Sequence, residues 1–158
     1  MNESKNKTRE TILKSSIEYA TNLATHYGHR LERSVVYTQG VAISGRLRLH
    51  DLLPESTNPV ADIVEIVAEY ANAPLDIFSP SDGTANYAGV CWSDELAAAT
   101  DDGNYADLIE QVADMFGPNL SAGPLNPDVR VEDFFFAATI LGRAYLSSGD
   151  SKHIDLLT

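Results

Sequence analysis

Cysteine is scarce in this chain, and that scarcity sets a first limit. One residue, Cys91, is present among 158. It can form no intrachain disulfide and build no zinc site of the cysteine type. Basic residues are also few, with 11 Lys and Arg against 23 Asp and Glu, a formal net charge of −12. The corresponding pI is near 4.5. With no basic patch to offset the repulsion, nucleic acid and anionic membrane surfaces are excluded as partners. An acid excess of this kind also suits a salt-rich environment. No long apolar run follows the polar start Met1–Lys7. Neither a signal peptide nor a membrane-spanning helix is therefore expected, and the default location is the cytoplasm. Gly40 and Gly45 lack the Lys-Ser/Thr that completes a phosphate-binding loop. His26, His29, His50 and His153 have no metal-ligand spacing with matching acids. Asp101-Asp102 reads as a turn and Glu65 to Glu69 as a solvated helix face. No metal or organic cofactor is expected.

Apolar residues make up 44% of the chain, enough for one domain with a real core. Helical spacing is the dominant pattern. Leu13, Ile17, Ala20, Ala24 and Tyr27 predict a first helix over 8–27, closed by Gly28. Residues 30–39 are ambiguous, because Val35-Val36-Tyr37 suits a short strand or an extended connector. A second helix is expected over 40–53, stopped by Pro54. A third spans 59–72, with Pro59 at its first position and Val60, Ile63, Val64 and Val67 in one stripe. Residues 73–84 read as a loop. A fourth helix covers 86–100, the turn Asp101–Asn104 follows, and a fifth helix covers 105–116. After a Gly/Pro loop over 117–127, a sixth helix runs over 131–146. The turn Ser147–Asp150 leads to the start of a seventh at Lys152. No strand of any length competes, so the fold class is all-α.

The helices also repeat. Ala61-Asp62-Ile63-Val64, Ala106-Asp107-Leu108-Ile109 and Ile154-Asp155-Leu156-Leu157 occupy equivalent places, 45 and 48 residues apart. The unit is a helical hairpin, used about three times, with a less polar inner helix and an amphipathic outer one. The sequence stops within the third outer helix, without a cap, as a truncated array would.

The stretch Arg130-Val131-Glu132-Asp133-Phe134-Phe135-Phe136 stands out. Two acids precede three phenylalanines and an apolar helix. A carboxyl held against aromatic surface, with a second acid beside it, keeps its proton more tightly than one in water, as an acid catalyst requires. The same residues suit a helix cap or first turn, where Asp accepts orphan backbone N–H groups.

Taken with the turn Thr100–Tyr105 and the closing Ser147-Ser148-Gly149-Asp150, this stretch resembles the unsaturated glucuronyl and rhamnogalacturonyl hydrolases, glycoside hydrolase families 88 and 105. The resemblance runs from about Gly45 to Thr158. It implies half of an (α/α)6 barrel, a six-hairpin ring, as a single domain over 1–158. It also implies an oligosaccharide substrate with a C4=C5 double bond. Asp133 would be the general acid/base that hydrates that bond. The second carboxylate of such sites would fall near Asp82, although Thr84 or Asn86 occupies its place if Gly89 is the anchor. Asp82 equally suits a loop turn. Asn86 is a substrate-binding candidate. Trp92 could stack on a sugar face or fill the core. Arg130 could bind a uronate carboxylate or pair with Glu132. Arg46, Arg48 and His50 are weaker candidates. The rival reading is a non-catalytic helical-repeat module, or an inactive fragment of the enzyme. An incomplete ring would expose more apolar area than the ~300–600 Å² patch of a typical monomer. Self-association through uncovered inner helices is therefore expected.

Overall fold

A computed structural model describes residues 2–32, 36–53, 55–71, 84–116 and 131–157. These residues are helical or turn, with no strand among them. The elements are α1 (Asn2–Tyr27), α2 (Val36–Leu52), α3 (Val60–Ala71), α4 (Thr84–Ala88), α5 (Ser93–Thr100), α6 (Gly103–Asp114), α7 (Val131–Ser148) and α8 (Lys152–Asp155). The all-α expectation holds. The expected loops over 73–84 and 117–127 lie outside the described residues except for Thr84, and the Pro54 stop lies outside them entirely.

Three differences from the sequence reading have physical causes. First, α1 begins at Asn2, well before the apolar stripe starts. Its early residues are mostly polar, so apolar periodicity cannot register them, yet Lys, Arg and Glu are good helix formers. Second, the ambiguous Val36-Tyr37 is the start of α2. Packing overrides its strand propensity: the Tyr37 ring meets the Phe136 ring at 4.8 Å. Gln39, on the next turn, accepts a hydrogen bond from the Glu32 backbone N–H at 2.6 Å through Oε1. Third, the expected single helix over 86–100 is two helices. Between them Gly89, Val90 and Cys91 donate backbone bonds to the carbonyls three residues back, at 3.0–3.3 Å, so the chain tightens before α5 resumes.

Where local chemistry sets a boundary, the structure follows it. The Asp102 side chain caps α6 by accepting from the Asn104 N–H at 3.0 Å. Asn58 does the same for Val60 at 2.9 Å. Gly149 closes α7 at φ 73°, with its N–H on the Tyr145 carbonyl.

Helix α1 packs chiefly on α2, which packs on α4, which packs on α7. Helix α6 lies against α5 and α7, α3 touches α5 and α6, and α8 folds back on α7. The core forms where these meet. Ile43 and Leu47 of α2, Ile63 and Val67 of α3, Trp92 and Leu96, Ile109 and Val112 of α6, and Ile140 and Leu141 of α7 make one cluster.

The packing of α2 against the end of α4 depends on Gly40. A Cβ on Gly40 would lie 2.3 Å from the Gly89 carbonyl oxygen, which is backbone and cannot swing away. Gly40→Ala is therefore expected to lower the unfolding free energy by about 1–3 kcal/mol, the usual cost of overpacking. Urea unfolding followed by circular dichroism measures it, and an unchanged midpoint would show that the two backbones are not held this close.

Candidate active site

The candidate acid sits in the first turn of α7, beside Glu132. Asp133 is half-buried, and Thr84, the first residue of α4, donates its hydroxyl hydrogen to Asp133 Oδ1. Two helix starts 49 residues apart in sequence are thereby joined through side chains. Thr84 is buried, so this hydrogen bond is shielded from competing water on one side.

The aromatic surroundings are less enclosing than the sequence suggests. Phe134 and Phe135 are both more than half exposed, and only Phe136 is buried, against Tyr37. Successive helical positions differ by about 100°, so three adjacent rings cannot all face inward. The Phe135 ring instead reaches a 760 Å³ groove between α1 and α2. Leu23, Tyr27, Tyr37, Val41 and Leu52 also line that groove, and Arg48 is the charged side chain among its lining residues.

The other sequence candidates are scattered. Asn86 is buried within α4. Trp92 is wholly buried, edge-on to Tyr105 with centroids 6.1 Å apart. Its ring faces the core and has no open face for a sugar, which corrects the stacking expectation. Asp82 and Arg130 lie outside the described residues. Arg46 donates to the Gly28 carbonyl at 2.7 Å and pairs with Asp62. His50 shares a hydrogen bond with Ser56 at 3.2 Å. Both line a separate 530 Å³ cleft against α1. Among the described residues no group of three or more His, Cys, Asp or Glu side chains is arranged to hold a metal ion. No described helix is long and apolar enough to cross a membrane.

Sequence reading missed a second polar cluster. Arg143 of α7 donates to Asp94 Oδ1 at 2.7 Å and to the Ser44 hydroxyl at 3.0 Å, and lies 3.2 Å from Glu95 Oε1. Ser44 and Arg48 of α2 both donate to Glu95. Helices α2, α5 and α7 are thus tied by one ionic network. Burial pushes the Asp94 carboxyl above its ordinary range, and the Arg143 charge opposes that shift without cancelling it. Burial alone would lower the Arg143 guanidinium, but Asp94 and Glu95 hold it above its ordinary value. Partners 49 and 99 residues apart leave no local spacing signal. The one sequence hint is a cation on the otherwise apolar face of α7.

Cys91 lies beside this network. Burial pushes its thiol up to about 12, against the pull of Arg143. The folded thiol therefore keeps its proton at pH values where the unfolded one, near 9.0, has lost it. Its contribution is fully present below pH 9 and is lost as pH rises toward 12, at about 1.4 kcal/mol per pH unit. Denaturant titrations of wild type and Cys91→Ala between pH 8 and pH 11 should diverge with that slope. Parallel curves would mean the thiol is accessible.

The fold and the Thr84–Asp133 pairing define an all-helical protein with a carboxylate at the meeting point of two helix starts. Comparison with protein-family models, curated proteins and solved structures finds no match.

Proposed function

We propose that this chain is a glycoside hydrolase of the unsaturated uronyl type, with Asp133 as general acid/base. The observation that carries the reading is the side-chain bond between Thr84 and Asp133. In the six-hairpin resemblance, the acid and its companion stand at the starts of successive inner helices. Here α2, α4 and α7 touch in series, and α3, α6 and α8 follow them in the chain, as inner and outer members of three hairpins would. Thr84 is one of the two residues, with Asn86, that fall at the companion carboxylate's place when Gly89 is the anchor, and its hydroxyl orients the Asp133 carboxyl by donating to it.

The chemistry follows from the substrate. A C4=C5 double bond next to the ring oxygen is a vinyl ether. Asp133 gives its proton to C4, and the positive charge that develops at C5 is shared with the ring oxygen. Water adds at C5 and returns a proton to the carboxylate. The hemiketal formed then opens and releases the aglycone. No metal or organic cofactor takes part in these steps.

The test is loss of the unsaturated uronate absorbance when the chain is incubated with lyase-generated disaccharides. A steady, enzyme-dependent loss supports the reading, and no loss at any substrate concentration rejects it. A second reading, a non-catalytic helical module, is favoured by the apolar groove between α1 and α2. It expects the same chain to be inert in this assay.

A further inference from the structure

The cleft lined by Arg46 and His50 holds a second set of reactive groups, apart from Asp133. Its volume is 530 Å³, within the ~300–1,000 Å³ of small-molecule sites. His50 lies in the last turn of α2 and also walls a 360 Å³ pocket, with Asn58 shared between the two cavities. The chain then turns back on itself. The Leu53 N–H donates to the His50 carbonyl at 3.1 Å, and the Ser56 N–H to the Leu53 carbonyl at 2.8 Å. This double turn sets the Ser56 hydroxyl 3.2 Å from His50 Nδ1. His50 is half-buried and Ser56 is exposed, so the bond between them adds little to stability. An imidazole nitrogen beside a reachable serine hydroxyl is instead the pairing that makes a serine nucleophilic.

We propose that Ser56 and His50 form a nucleophile–base pair that cleaves short-chain carboxylic esters in this cleft, a second activity independent of Asp133. With the ring proton on Nε2, Nδ1 accepts the Ser56 hydroxyl hydrogen. Ser56 Oγ attacks the ester carbonyl carbon as its proton passes to Nδ1. The bond from that carbon to the alcohol oxygen then breaks, and the alcohol leaves with the proton. Water attacks the acyl-serine and gives a proton to Nδ1. The carboxylic acid departs as Ser56 Oγ takes that proton back.

The walls of the cleft suit this reaction. Arg46 lies one turn before His50 on the same face of α2. Its side chain is 14% exposed and is fixed by the Gly28 carbonyl and by Asp62. The cleft in which negative charge builds on the carbonyl oxygen therefore already holds an immobile guanidinium. Leu49 and Leu53 give an apolar wall for a short acyl chain, and Thr21, Thr25 and Thr57 give hydroxyls for the alcohol part. Among the described residues no carboxylate bonds the other ring nitrogen of His50. The imidazolium formed in the first step thus lacks the buried acid of a triad. That suits the pair to esters, whose alcohols leave more readily than the amines of amides.

Treating the whole chain with an alkyl fluorophosphonate tests the proposal. Ser56 Oγ should displace fluoride and gain the phosphonyl group, which peptide mass spectrometry locates. His50→Gln should slow that labelling about 100-fold or more, as loss of a positioned base does. p-Nitrophenyl acetate should give a stoichiometric burst of nitrophenolate that Ser56→Ala abolishes. Neither side chain belongs to the core, so unchanged melting curves will show that the variants fold. If His50→Gln is unstable, Ser56→Ala at its exposed position still decides the matter through the burst. Hydration of unsaturated uronyl disaccharides should be the same in Ser56→Ala as in wild type, so the two activities stand or fail separately. Absence of label on Ser56 overturns the proposal. Label that forms equally fast in a folded His50→Gln, or a burst that survives in Ser56→Ala, overturns it too.

Discussion

Asp133→Asn is expected to slow hydration of an unsaturated uronyl disaccharide by about 10²–10⁴-fold, the usual contribution of a positioned acid or base. The fold should be kept. The Asn side-chain oxygen can still accept the Thr84 hydroxyl hydrogen that Asp133 accepts now. The loss of a first-turn negative charge costs only about 0.3–1 kcal/mol. Rate and stability therefore separate. Absorbance progress curves and thermal melts on the same preparations check both. If Asp133→Asn keeps its rate and only lowers the melting temperature, Asp133 is a first-turn residue and the catalytic assignment fails. Thr84→Val gives the graded control. It removes one hydrogen bond, worth about 1 kcal/mol, and leaves the acid in place. Its rate should fall much less than that of Asp133→Asn.

Arg143→Met is expected to destabilise the fold by about 3–5 kcal/mol, as removal of one partner from a buried ion pair does. Arg143 is 13% exposed, and Asp94 and Glu95 are 19% exposed, so both carboxylates would lose their counter-charge largely out of water. Arg48 compensates little, because it is 62% exposed and bonds Glu95 alone of the two carboxylates. The pH dependence follows from Asp94. Its carboxyl is already raised by burial, and losing Arg143 raises it further. A raised acid stabilises the fold fully below its unfolded value of 3.8, and that stability is lost as pH rises through the folded value. The deficit of Arg143→Met should thus be largest at neutral pH and shrink toward pH 4. Adding Asp94→Asn should recover part of it, because an amide costs less to bury than an unpaired carboxylate. Denaturant unfolding at pH 4 and pH 7 measures both effects. A deficit independent of pH would mean that Arg143 acts through its packed alkyl chain instead of its charge.

The two clusters differ in how legible they were. Asp133 stands out in the sequence because acids directly before an apolar helix form a local pattern. Its bond to Thr84 does not, because the partner comes from a different helix. The network around Arg143 joins Ser44, Asp94 and Glu95 from two other helices, and no spacing in the chain forecasts it. Trp92 makes the same point from the other side. The sequence puts it inside a helix over 86–100, but it stands in the tightened turn just before α5, with its ring edge-on to Tyr105 and buried in the core.

By itself the sequence determined the all-α class, the stripes of α3 and α6, and the turns at Asp101–Asn104 and Ser147–Asp150. Each of these rests on side-chain spacing or backbone freedom within a few residues. It also determined the acid excess and the limits set by one cysteine. Only the tertiary structure decided that α4 and α5 are separate, because the Gly40–Gly89 approach is made between distant segments. It alone decided that Phe134 and Phe135 face outward and that α1 is uncovered. Periodicity says which residues share a face, but what that face meets depends on where every other helix lies.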